Sequence, residues 1–180
     1  MEIVKVNRRD FVKITSVASA GLVIGLRAPR AEAQESAHPL GAFVHVGTDG
    51  SVTVYVSKSD MGQGVRTALP MIVAEELGAD WKKIKIVQAD LDKKYGRQGT
   101  GGSSSIRTMY KPLRQAGATA RAMLLTAAAA KWGVNPGDCN VEDCMISHGP
   151  QRAHFGEVAE AAAQLDVPKD VKLKDDGAFK

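Results

Sequence analysis

Two stretches of this sequence place glycines where a backbone could grip a ligand: Met61-Gly62-Gln63-Gly64, and Gly99-Thr100-Gly101-Gly102-Ser103-Ser104-Ser105. Each stands directly ahead of a segment patterned like a helix. Glycine lets the main chain come close to a ligand and adopt positive φ, and free amides at a helix start attract an anion. The chemistry on offer is that of holding an electron-rich group. Neither stretch matches G-x-G-x-x-G, and no lysine follows the glycines as a P-loop requires. The run from Gly101 to Ser105 breaks the G-x-S-x-G nucleophile pattern at its last position. Its serines therefore read as hydrogen-bonding groups rather than nucleophiles. On residue chemistry alone, either stretch is equally a plain turn before a helix.

Other reactive residues are sparse. His38, His45, His148 and His154 are scattered, none beside a glycine stretch. Cys139 and Cys144 are spaced C-x4-C with no second pair to complete a four-ligand site. No metal ligands and no catalytic residue are assigned, and a disulfide between these cysteines stays open.

The elements that must position the glycines follow from hydrophobic periodicity. Around Thr48-Asp49-Gly50 the apolar residues alternate, Val44 and Val46 before the turn and Val52, Val54 and Val56 after it, which predicts a β-hairpin. After the first glycine stretch, Val65, Leu69, Ile72, Val73 and Leu77 recur at helical spacing and stop at Gly78. Pro70 interrupts them, so either Thr67 caps a helix starting there or a first turn from Val65 bends at the proline. "KIKIVQAD" reads as a strand with Ile84 and Ile86 on one face, and "DLDKKYGRQGTGG" as a loop. A long helix follows, with Pro112 near its start, an alanine-rich body from Gln115 to Trp132, and Gly133 as its stop. Ala116, Ala120, Ala127 and Ala130 would let a neighbouring backbone come close, which predicts that this helix is buried. "NVEDCMISHG" predicts a tight hairpin around Asp143-Cys144. "FGEVAEAAAQL" predicts a short, peripheral closing helix with Phe155, Val158, Ala162 and Leu165 inward, and the tail after it loses periodicity. The class is α+β: β-hairpin, helix, strand, glycine loop, long helix, hairpin, short helix.

Composition bounds the function. The chain has 180 residues, 44% of them hydrophobic and only 5% aromatic, so small side chains must fill much of the core. The formal charge of +4 is concentrated at the start, where Lys5, Arg8, Arg9, Lys13, Arg27 and Arg30 face only Glu2, Asp10 and Glu32. The remainder is close to neutral, which argues against a nucleic-acid partner. Residues 1–33 have the layout of a secretory leader: a charged start, an apolar run from Ile14 to Leu26, and Ala31-Glu32-Ala33 as cleavage site. That run is about thirteen residues, short of the ~20 a bilayer span needs. Arg8-Arg9-Asp10-Phe11-Val12-Lys13 resembles the twin-arginine export motif, with Asn7 where Ser or Thr is more usual. Residues 34–41 then form a linker, residues 42–166 the folded domain, and residues 167–180 a tail.

The run from "DMGQGVRTALPMIVAEELGADW" through "GTGGSSSIRTMYKPLRQAGATARAMLLTAAAAKWGV" closely resembles the molybdopterin-binding large subunit of isoquinoline 1-oxidoreductase-type enzymes, in the xanthine dehydrogenase and aldehyde oxidase superfamily. The resemblance covers nearly all of the chain after the leader. It implies part of a molybdopterin-binding domain in a molybdenum hydroxylase, which oxidises an aldehyde or N-heterocycle with oxygen from water. It further implies molybdopterin, in its cytosine dinucleotide form, shared with other domains. The implied partners are the remainder of the large subunit and a two-iron two-sulfur small subunit. A cytochrome c as a further partner, and membrane association through partners, stay open. By family position, Met61, Gly62, Gln63 and Gly64 lie beside the cofactor, with the Gln63 amide a donor to it. Thr100, Gly101, Gly102, Ser103, Ser104 and Ser105 lie along the pterin or its pyrophosphate.

Family large subunits also carry a glutamate in a Gly-Glu motif near their far end, the base of the reaction. Glu75-Glu76 and Gly156-Glu157 do not match it, and family members continue beyond a point like "LKDDGAFK". The resemblance thus implies an N-terminal portion of a catalytic subunit, inactive alone and with apolar surface left for the rest to cover. Two alternatives remain at this level: an exported binding or assembly protein that holds a pterin or another anion without chemistry, and a truncated remnant. The export reading makes a direct prediction: replacing Arg8 and Arg9 together by lysine should stop appearance of the chain in the periplasm, measured by fractionation, and undiminished export would overturn it.

Overall fold

The computed structural model describes Gly21–Val23 by their backbone and residues 43–180 in full. The twin-arginine pair, the cleavage site and the linker lie outside the described residues. Strand β1, Gly21–Val23, falls within the apolar run of the expected leader and pairs antiparallel with β2, Val44–Gly47, in the register Leu22 to Val46. Strand β2 turns through Asp49-Gly50 into β3, Val52–Val56, which pairs with it antiparallel, Val44 opposite Val54. The turn is held by the Gly47 amide on the Ser51 carbonyl at 2.8 Å and by the Asp49 carboxylate, which accepts from the amide and hydroxyl of Ser51. The predicted alternation is realised: Val44, Val46, Val52, Val54 and Val56 are all buried.

Helix α1, Val65–Leu77, carries the chain from β3 to β4, Ile84–Gln88, which lies parallel to β3 with Val54 opposite Ile86. The helix begins at Val65 rather than at Thr67, because Gly64 adopts a left-handed conformation and its carbonyl accepts from the amides of Thr67 and Ala68. Pro70 therefore sits inside the helix, buried like its neighbour Leu69. The segment between β4 and the next helix is a largely exposed loop as expected, anchored by a buried side chain. Tyr95 is buried there, its ring 5.5 Å from that of Phe43.

Helix α2, Ser105–Trp132, is the predicted long helix, and α1 packs along it. Small residues permit that approach: Ala116, Ala120 and Ala127 are buried as expected, together with Ala128 and Ala129, while Ala130 points outward. One close approach is at Gly117, where a Cβ would stand 2.8 Å from both the Glu76 Cβ and the Val73 carbonyl oxygen.

The C-terminal third bears out the predicted hairpin and corrects the sequence reading in two places. The hairpin of β5, Asn140–Glu142, and β6, Met145–His148, is closed by Asp143 and Cys144, both at positive φ as a type I′ turn requires. A third strand, β7, Gln151–His154, then pairs with β6. Being only four residues long, it gave too short a pattern to read. Helix α3, Phe155–Ala163, is not peripheral. It packs against β1 and β2, with Phe155, Gly156, Val158, Ala159 and Ala162 buried. Cys139 and Cys144 are both free and buried. The Cys144 sulfur accepts from the Asp80 amide at 3.3 Å, the Cys139 thiol faces the Asn135 carbonyl at 3.8 Å, and burial raises both thiols above the ordinary range. No described helix is long and apolar enough to cross a membrane.

Gly117→Ala places a methyl where main chain already stands. It should destabilise the domain by about 1–3 kcal/mol and lower Tm by a few degrees, measured by thermal unfolding. An unchanged Tm would show that α1 and α2 are not in contact there.

Candidate functional site

The first glycine turn is built by its own side chains. Asp60 accepts from the Gly62 amide at 2.8 Å and from the Arg66 amide at 2.9 Å, closing the turn onto the start of α1. These backbone donors, Arg66 first and Gly62 next, hold the Asp60 carboxyl below its ordinary value. Gln63 folds back over the turn: its side-chain oxygen accepts from the Met61 amide, and its nitrogen donates to the Ser59 carbonyl at 2.9 Å. An amide nitrogen carries two protons, so one N–H of Gln63 remains beyond this bond.

The second turn is fastened to the first. Lys58, only 3% exposed, donates from its ammonium to the carbonyls of Arg97 at 2.6 Å and Gly99 at 3.1 Å. The Ser59 amide donates to the Thr100 hydroxyl at 2.9 Å. Ser104 closes the loop by donating its hydroxyl to the Gly101 carbonyl at 2.8 Å. Ser103 takes positive φ, 50°, a conformation uncommon outside glycine.

Folding brings the two turns together into one cleft of about 420 Å³. Met61 and Gln63 line it from the first turn, Val65 and Ala68 from α1, and Thr100, Gly101, Gly102, Ser103 and Ser105 from the second turn, with Ile106 beside them. Gly62, Gly64 and Ser104 belong to the turns but do not line the cleft. Over Gly62, Gly64, Gly101 and Gly102 a Cβ would meet nothing within 4 Å, so the backbone there faces open space rather than its own protein. Neither Gly64 nor Ser104 caps the helix it precedes with its own side chain, and the start of α1 is served instead by the Asp60 carboxylate on the Arg66 amide. No carboxylate lines the cleft. Amides from two turns between apolar walls fit a flat, electron-rich cofactor such as a pterin. No group of three or more His, Cys, Asp or Glu that could hold a metal ion occurs among the described residues.

Lys58 and Asp60 are the residues that sequence reasoning missed. An aspartate two positions before a glycine is a recognisable turn-closing signal, but a lysine whose partners lie 39 and 41 residues away leaves none. The glutamates compared with the family base have structural work instead. Glu157 accepts from the His154 amide to cap α3, Glu75 pairs with Lys174 at 2.9 Å, and Glu76 is buried between arginines.

This architecture is that of a molybdopterin cofactor-binding domain, and the model of that family matches residues 4–180. The chain belongs to this family. It is 33% identical over 183 residues to the isoquinoline 1-oxidoreductase subunit beta of Brevundimonas diminuta, covering 93% of this chain and 23% of that protein. It is 35% identical over 162 residues to a membrane-bound aldehyde dehydrogenase [pyrroloquinoline-quinone] of Gluconacetobacter polyoxogenes, covering 84% of this chain and 21% of that one. The chain thus spans about a fifth of the length of these relatives. Among solved structures, the CO dehydrogenase of Oligotropha carboxidovorans superposes with a TM-score of 0.56 at 26% identity, over 66% of this chain and 15% of that one. Quinoline 2-oxidoreductase of Pseudomonas putida 86 shares the fold, with a TM-score of 0.55 at 24% identity over the same shares.

Because the Asp60 carboxyl is depressed in the fold, its hold on the turn is complete above the ordinary value of 3.8 and fades as pH falls through its lower folded value. Asp60→Asn leaves one acceptor where two amides are held. It should speed hydrogen exchange at Gly62 and Arg66 at neutral pH, and exchange unchanged at both amides would show that Asp60 does not close the turn.

Proposed function

We propose that this chain is the N-terminal part of a molybdenum hydroxylase catalytic subunit and that its two glycine turns hold part of the molybdenum cofactor, in cytosine dinucleotide form. The meeting of both turns in one cleft, with open space over four glycines, carries this reading. When bound, the cofactor supplies hydroxylation of an aldehyde or N-heterocycle with oxygen from water, its electrons leaving through a two-iron two-sulfur subunit and a cytochrome c. This chain positions that group. Gly101 and Gly102 admit it close to the main chain, the spare N–H of Gln63 donates to it, and Ser103 and Ser105 line its edge. The twin-arginine leader suits a passenger loaded with cofactor before passage to the periplasm.

The chain does not turn over alone in this reading. Met61, 72% exposed, and Ile106 present apolar side chains at the cleft that the rest of the subunit would cover. One relative's name carries pyrroloquinoline-quinone rather than a pterin, and the test separates the two. Produced with the remainder of the large subunit in a host that makes molybdopterin, the chain should co-purify with molybdenum and with the fluorescence of an oxidised pterin. Gly102→Val, which forces a branched side chain on a residue at φ +59°, and Gln63→Ala should each lower pterin content. A subunit that folds and carries quinone absorbance without pterin would overturn the reading.

A further inference from the structure

Beside the glycine cleft lies a second cavity of about 330 Å³, and its charge is one-sided. Lys58, Arg97 and Arg107 line it, with no aspartate or glutamate among the lining residues. Among the described residues no carboxylate pairs with any of the three. The floor is apolar, with Phe43, Tyr95 and Pro112. The two cavities share one loop: Ser103 and Ser105 line the glycine cleft and Ser104 lines this one.

Lys58 is the unusual member. An ammonium with 3% exposure is costly unless compensated, and here only the carbonyls of Arg97 and Gly99 face it, while Arg97 repels it. Burial first and Arg97 next hold it below the ordinary lysine value. Three cations around a concave, partly dry site, with no anion of the protein to balance them, leave an unfilled electrostatic demand.

We propose that this second cavity binds a phosphate-class anion, a pyrophosphate or a phosphate ester, through Lys58, Arg97 and Arg107. Two guanidinium forks and an ammonium match the several oxygens of a phosphate group better than a single carboxylate. The volume exceeds what one phosphate fills and accommodates a pyrophosphate or an esterified phosphate. Hydroxyls contribute little, because Ser104 and Thr108 already donate to the carbonyls of Gly101 and Ser104. The proposal does not rest on the pterin reading of the neighbouring cleft.

Titration calorimetry of the full chain, prepared in a host without molybdopterin, tests it with inorganic pyrophosphate at constant ionic strength. Binding with Kd of about 1 mM or tighter is expected. Arg97→Gln and Arg107→Gln, both at exposed positions, should each weaken it about tenfold or more. Lys169→Gln, outside the cavity, should leave it unchanged. No binding, or equal weakening by all three variants, would overturn the proposal, the latter showing only general attraction of anions to a basic chain. A second arm separates two sources of the phosphate. If chain loaded with cofactor no longer takes up pyrophosphate, the cavity receives the cofactor's own phosphate end, and if uptake persists, it receives a free phosphate compound.

Discussion

A carboxylate with no access to water stands between the two long helices. Glu76 is fully buried in α1, with one oxygen on the Arg114 guanidinium, the other accepting from the Lys174 amide at 3.1 Å, and Arg121 3.6 Å away, both arginines reaching in from α2. Burial works against the charge on Arg114, and Glu76 more than offsets it, leaving that guanidinium above its ordinary value. Burial dominates at Arg121 and lowers it. A buried ion pair adds little net stability when complete, but stripping one partner costs about 3–5 kcal/mol, because the other charge stays buried and uncompensated. The network therefore dictates which residues of α1 and α2 face each other. It coincides with the point where Gly117 admits the backbone of α1, so charge pairing and steric fit select the same crossing.

The site depends on that crossing. Both glycine turns are the leads into these two helices, and the distance between turns is set by how the helices pack. Lys58 and the bond from Ser59 to Thr100 then tie the turns directly, so the cleft is clamped at the turns themselves and along the helix bodies. The same arginines hold the tail: Arg114 donates to the Lys174 carbonyl and lies over the Phe179 ring, and Arg121 donates to the Lys172 carbonyl at 2.8 Å. A segment that lost all periodicity in the sequence is thus ordered by contacts from arginines more than 50 residues away.

Much of the fold was legible before any coordinates. The alternating valines of β2 and β3, the Asp49-Gly50 turn, the helical spacing ahead of Gly78 and the alanine-rich body of α2 each obey one local period, and each formed as read. The readings that failed lacked a local cause. Strand β7 is too short to show a period. Helix α3 looked peripheral because its small apolar face gave no sign that β1 and β2 would bury it, and Ala130 turned outward because alanine marks no preferred face.

For the site, residue types alone identified both glycine stretches, since positive φ and close main-chain approach favour glycine whatever the fold. Family resemblance then supplied the ligand class. That the two stretches share one cleft, that Gln63 folds onto its own turn, and that Lys58, Arg97 and Arg107 converge without a carboxylate partner are decided only in three dimensions. Local preferences act over a few residues and are written in the sequence. The meeting of groups some 40 residues apart is set by how two helices pack around one buried charge, and no spacing along the chain encodes it.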